Sequence, residues 1–121
     1  MNAHNRHTPL ALIVDDDDTM RTMIREVMEQ IGLVVEEAED GALGLDRFHA
    51  LRPDIVLLDV KMPNVDGFTF CSQVRNVPHG KHVPIVMMTA TEDTASIERG
   101  YHVGATDFVR KPIHWSILGH R

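Results

Sequence analysis

Three short runs in this chain are apolar without a break: LALIV at 10–14, IVLL inside DIVLLD at 54–59, and PIVMM inside VPIVMM at 83–88. A strand wetted on one face alternates apolar and polar residues, so unbroken runs of this length read as strands covered on both faces. Few folds supply two covers. The stretches between the runs carry a helical period instead. At 19–31, Met20, Met23, Ile24, Val27, Met28 and Ile31 share one face, with Asp17 or Asp18 placed to cap the start and Gly32 to end it. Further helices are expected from Asp40 to about residue 51, stopped by Pro53, and over 68–76, where Phe70, Cys71, Val74 and Val77 share an arc. The helix expected over 94–103 has a poor stripe, essentially Ile97 and Tyr101 with Gly100 inside it, so it should be loosely held. Short strands at 34–38 and 106–109 and a last helix opened by Pro112 complete five strands and five helices.

Such βα alternation implies an α/β fold: a doubly wound parallel sheet with helices on both faces, joined by right-handed crossovers. Residues 1–9 lack any apolar period and read as a loose tail, leaving 10–121 as one domain. The 121 residues carry a net charge of −6, which argues against a general nucleic-acid or acidic-membrane surface. No run approaches the roughly 18 apolar residues of a membrane span, and the single Cys71 fits a reducing, cytoplasmic setting. Cys71 lies on an apolar stripe and reads as core.

Ligands of open α/β sheets sit beyond the carboxyl ends of the strands. In this chain those ends carry Asp15 and Asp16 after the first strand, Asp59 after the third, Thr89 after the fourth and Lys111 after the fifth. Three carboxylates in one small pocket need a cation, and oxygen-only donors select a hard one, Mg²⁺ or Mn²⁺. A metal, an ammonium and a hydroxyl around one aspartate suit a phosphoryl group, with the aspartate as nucleophile. Asp17 and Asp18 are accounted for by helix capping. An EF-hand reading of the same acids fails because loop position six is Met20, where the motif needs Gly. The two H-x-x-H pairs, His4/His7 and His79/His82, have no acidic or cysteine partners nearby in sequence and are not read as zinc sites. Trp115 falls outside the arc of Ile113, Ile117 and Leu118, as a fringe packing residue or an interface anchor.

The segments LIVDDDD, IVLLDVKMPNVDG, VPIVMMTA and GATDFVRKPI, in this order, resemble the receiver domains of two-component response regulators. The resemblance implies a flavodoxin-like (CheY-like) five-stranded sheet of order 2-1-3-4-5. It makes Asp59 the phosphoacceptor for a histidine kinase or phosphotransfer protein. Asp16, Asp59 and the backbone carbonyl of Lys61 would hold Mg²⁺ directly, and Asp15 largely through water. Lys111 would pair with the phosphoryl group, Thr89 would hydrogen-bond it, and Phe108 would be the aromatic switch that turns as Thr89 moves. The domain would then be a switch that catalyses only its own phosphorylation and slow dephosphorylation. The ending KPIHWSILGHR is similar to receivers attached to output domains that make or degrade cyclic di-GMP. That implies a cut-short last helix and a covalently linked output domain beyond Arg121. The loosely held fourth helix and the face it shares with the fifth are where a homodimer is expected. The enzyme alternative is a Mg²⁺-dependent phosphohydrolase with an aspartate nucleophile. Such enzymes want a second acid two residues after the nucleophile, where this chain has Lys61.

Overall fold

All five residues of Leu10–Val14 are buried, and they divide by period two between two cores. Leu12 and Val14 join Phe48, Phe70, Cys71 and Val74 on one face, while Ala11 and Ile13 join Ile24 and Met88 on the other. The computed structural model describes residues 8–62, 65–89 and 94–111. In chain order they form β1 (Leu10–Val14), α1 (Asp18–Gln30), β2 (Val34–Ala38), α2 (Gly41–Leu51), β3 (Ile55–Asp59) and α3 (Gly67–Arg75). A 3-10 turn (Pro78–Gly80), β4 (Ile85–Thr89), α4 (Thr94–His102) and β5 (Asp107–Arg110) follow. Every pairing is parallel and the strand order is β2-β1-β3-β4-β5, as the resemblance implies. The expected last helix, Trp115 and residues 1–7 lie outside the described residues.

Local signals set the helix ends. Asp17 accepts from the amides of Thr19 and Met20, Asp40 from Leu43 and Asp66 from Thr69. Each removes an orphan donor from a first turn. Gly32 takes a φ of +99° just after α1, where a side chain would be strained.

Two expectations fail, both on helix faces. Met23 is 39% and Ile31 65% exposed, whereas Arg21 is only 9% exposed. A polar socket explains the rotated face of α1: Arg21 donates to the carbonyl of Asp15 and to Glu37 of β2, and pairs with Asp18. On α4, Tyr101 is 48% exposed and Gly100 is buried. Gly100 is no gap in that helix, because the Phe108 ring and the Met87 sulfur occupy the space a side chain would fill.

Arg75 ends α3 and ties two connections together, the one from α3 to β4 and the one from α4 to β5. Its guanidinium donates to the carbonyls of Gly80 and Val83 at 2.7 Å and of Gly104 at 2.9 Å, with a longer contact to the Thr106 hydroxyl. Arg75→Ala is expected to lower stability by about 1–2 kcal/mol, since water can reach part of what it leaves. A urea unfolding midpoint equal to that of the parent would show that these bonds carry nothing.

Candidate functional site

The strand register brings the acids together. Val14 pairs with Leu58, so the residues that follow, Asp15 and Asp59, emerge side by side from the middle of the sheet. Asp15 is fully buried and Asp59 is 6% exposed, while Asp16 points to solvent. Lys111, one residue past β5, reaches across β4 to both. Its Nζ lies 3.0 Å from Asp15 Oδ2 and 3.3 Å from Asp59 Oδ1. The Lys111 amide donates to the Thr89 carbonyl at 2.6 Å, which fixes the root of that side chain to the end of β4. Thr89 itself is 6% exposed.

Electrostatics show that the pocket is short of positive charge. Burial pushes the Asp59 carboxyl up to about 6, the charge of Asp15 adds to this, and Lys111 only partly opposes it. Burial would lower the Lys111 ammonium, but hydrogen bonds and charge from Asp15 and Asp59 outweigh it and raise it. A further cation fits here. Asp15, Asp16 and Asp59 can each offer an oxygen within 4.8 Å of the others, the only such group of three or more among the described residues. This all-oxygen donor set suits Mg²⁺ or Mn²⁺. Asp15 is already engaged through both oxygens, Oδ1 by the Asp17 amide at 2.9 Å and Oδ2 by Lys111. Asp16 and one side of Asp59 are therefore the better placed direct ligands. The Lys61 amide faces Asp59 Oδ1 at 3.4 Å.

Beside the acids an open cleft of about 440 Å³ is lined by Asp16, Lys61, Asp66, Phe68 and Arg99, among others. The Arg99 guanidinium lies 4.3 Å above the Phe68 ring. Gly67 brings α3 close to β3: a Cβ there would stand 2.7 Å from the Asp59 carbonyl oxygen, so only glycine lets the helix start this near the strand. Phe108 does not enter the pocket. Its half-buried ring covers Gly100 and meets Tyr101 edge-on at 5.0 Å.

Sequence reasoning missed one contributor. Arg21 holds the carbonyl of Asp15 from behind at 2.5 Å, so α1 braces the loop that presents both N-terminal acids. Asp17 and Asp18 serve the helix end, as expected: one caps it and the other pairs with Arg21.

Sheet order, strand-end acids and a reaching lysine define a doubly wound α/β fold with an acidic site at its carboxyl edge, and the chain belongs to the response regulator receiver domain family, whose sequence pattern matches residues 11–120. Among curated relatives it is 38% identical over 107 residues to the transcriptional regulatory protein CseB of Streptomyces coelicolor, covering 88% of this chain and 44% of that one. It is 35% identical to the DNA-binding dual master transcriptional regulator RpaA of Synechocystis, over 86% of this chain and 43% of that protein. The chain thus spans less than half the length of these relatives. Among solved structures, the chemotaxis protein CheY4 of Vibrio cholerae superposes with a TM-score of 0.86 at 33% identity, over 92% of both chains. A putative response regulator from Chloroflexus aurantiacus also gives 0.86, at 37% identity, over 94% of this chain and 93% of that one. In the described residues no helix is long and apolar enough to cross a membrane.

Proposed function

We propose that Asp59 accepts a phosphoryl group from the phosphohistidine of a histidine kinase or phosphotransfer protein. The single observation that carries this is the buried pair Asp15 and Asp59 bridged by Lys111 at the strand ends. An Asp59 oxygen attacks phosphorus, the P–N bond breaks, and the donor imidazole leaves with the electron pair. Lys111 neutralises the negative charge of the new acyl phosphate, and the Thr89 hydroxyl donates to it from the end of β4. Mg²⁺ (or Mn²⁺), held by Asp16, Asp59 and the Lys61 carbonyl with Asp15 acting through water, would supply charge neutralisation and orientation of the phosphoryl oxygens. The cleft beside Asp16 and Lys61 leaves room for the donor to approach.

A hydrolase reading is weaker, because Lys61 stands where an acid would drive turnover. The domain is a cytoplasmic signalling switch whose chemistry stops at its own phosphorylation and slow dephosphorylation. Phe108 reports the state of Thr89 to α4, and α4, with the last helix that the sequence leads one to expect, is the route to a homodimer. The controlled output is a DNA-binding transcriptional domain, supported by the names of CseB and RpaA. Those names favour it over the cyclic di-GMP enzymes suggested by the C-terminal KPIHWSILGHR, most of which falls outside the described residues. The acidic charge therefore bears on this domain alone, and the nucleic-acid partner belongs to the output domain.

The test is incubation with Mg²⁺ and a small acyl phosphate. Acid-stable, base-labile label approaching one equivalent is the expected result. Continuous release of phosphate well beyond one equivalent would favour the hydrolase.

A further inference from the structure

The histidines not used by this chemistry include a pair that sequence spacing conceals. His49 closes on His79, 30 positions further along the chain, with Nδ1 of the first 3.1 Å from Nε2 of the second. His49 lies near the end of α2, which leads into β3, and His79 lies in the 3-10 turn before β4. The pair therefore sits at the amino-terminal edge of the sheet, opposite the acids.

Both rings rest on the core. Phe48, fully buried, stacks on His79 at 5.4 Å with the planes 17° apart, and meets His49 edge-on at 5.7 Å. Arg75 holds the turn through the Gly80 carbonyl, and Gly80 is pressed against the Val74 backbone. Little ordering is left for a ligand to impose. Imidazole nitrogens bind Zn²⁺ at about 2.0–2.1 Å, which puts two nitrogens on one ion about 2.9 Å apart at a right angle and about 3.4 Å apart at the tetrahedral angle. The observed 3.1 Å lies between those limits. His79 also stays neutral more readily than usual, because of partial burial and then the nearby charges of Arg52 and His49.

We propose that His49 and His79 form a second cation site, taking a divalent transition metal of the nickel, copper and zinc class. Imidazole suits those ions, whereas the oxygen donors beyond β1 and β3 suit Mg²⁺. The ion replaces the proton shared by the two rings and keeps water at its other positions, and a small turn of each ring directs both lone pairs at it. Arg52 opposes the added charge, which keeps the site weaker than a closed four-ligand one. Its effect is to staple α2 to the connection entering β4.

Thermal unfolding in excess Mg²⁺, with Ni²⁺ added, tests this. A rise of about 3–5 °C is expected, lost in His49→Gln and in His79→Gln. Histidine side-chain NMR of the unaltered chain gives a readout independent of the variants, since paramagnetic Ni²⁺ should broaden the His49 and His79 signals first. No rise, a rise that survives in the double variant, or broadening that begins at other histidines would overturn the proposal.

Discussion

Asp59→Asn should end phosphate incorporation and, with metal removed by chelator, make the domain more stable at neutral pH. The second effect follows from the carboxyl being pushed up to about 6 in the folded state. In the unfolded chain it titrates near 3.9. Between those values the folded state binds the extra proton, so stability falls as pH rises through this window. Above about pH 6 the cost is complete, about 2–3 kcal/mol, and below about pH 4 it vanishes. The asparagine variant removes the charge while keeping the shape, so its gain should be full at pH 7 and gone at pH 4. The same variant should bind Mg²⁺ more weakly, having lost one ligand charge. Stoichiometric base-labile phosphate on this variant would move the acceptor to another aspartate. Chelated protein no more stable than the parent at pH 7 would show that the acids are not crowded.

Arg21→Met should be the most damaging change outside the pocket, costing about 2–4 kcal/mol and weakening Mg²⁺ binding. Removing the guanidinium strands the buried carbonyl of Asp15 and leaves Glu37 with Arg25 alone. Because Arg21 acts through the loop and touches no reactant, it is a positioning residue, and Arg21→Lys should restore part of the metal affinity. Isothermal titration of Mg²⁺ into both variants under conditions where each is folded separates the two effects. Unchanged affinity in the folded methionine variant would reduce Arg21 to a structural prop.

The strand ends were legible because each of three unbroken apolar runs stops at a polar residue, and the crossover rule then places those residues at one edge. Asp17 and Asp40 could be read as caps because capping depends on a few consecutive residues. What lay hidden is what needs two distant segments at once. Periodicity assigns a guanidinium to solvent, so nothing in the sequence of α1 discloses that Asp15 and Glu37 make an inward position habitable for Arg21. For the same reason Met23 and Ile31 were placed inward, where the polar socket had already turned the helix. Gly100 looked like a flaw because its purpose, seating the Phe108 ring, is written eight residues further on.

Lys111 and Asp15 are separated by 96 positions, nearly the whole length of the described chain. A ribosome delivers such a domain from its amino end. The two buried acids therefore emerge long before the ammonium that reconciles them, and β1 pressed against β3 without β5 is an edge at odds with itself. A nascent chain has every reason to leave that edge open to water until its last strand arrives. A closed cluster of Asp15, Asp59 and Lys111 is then a certificate of completed folding, which no shorter piece of the chain can present.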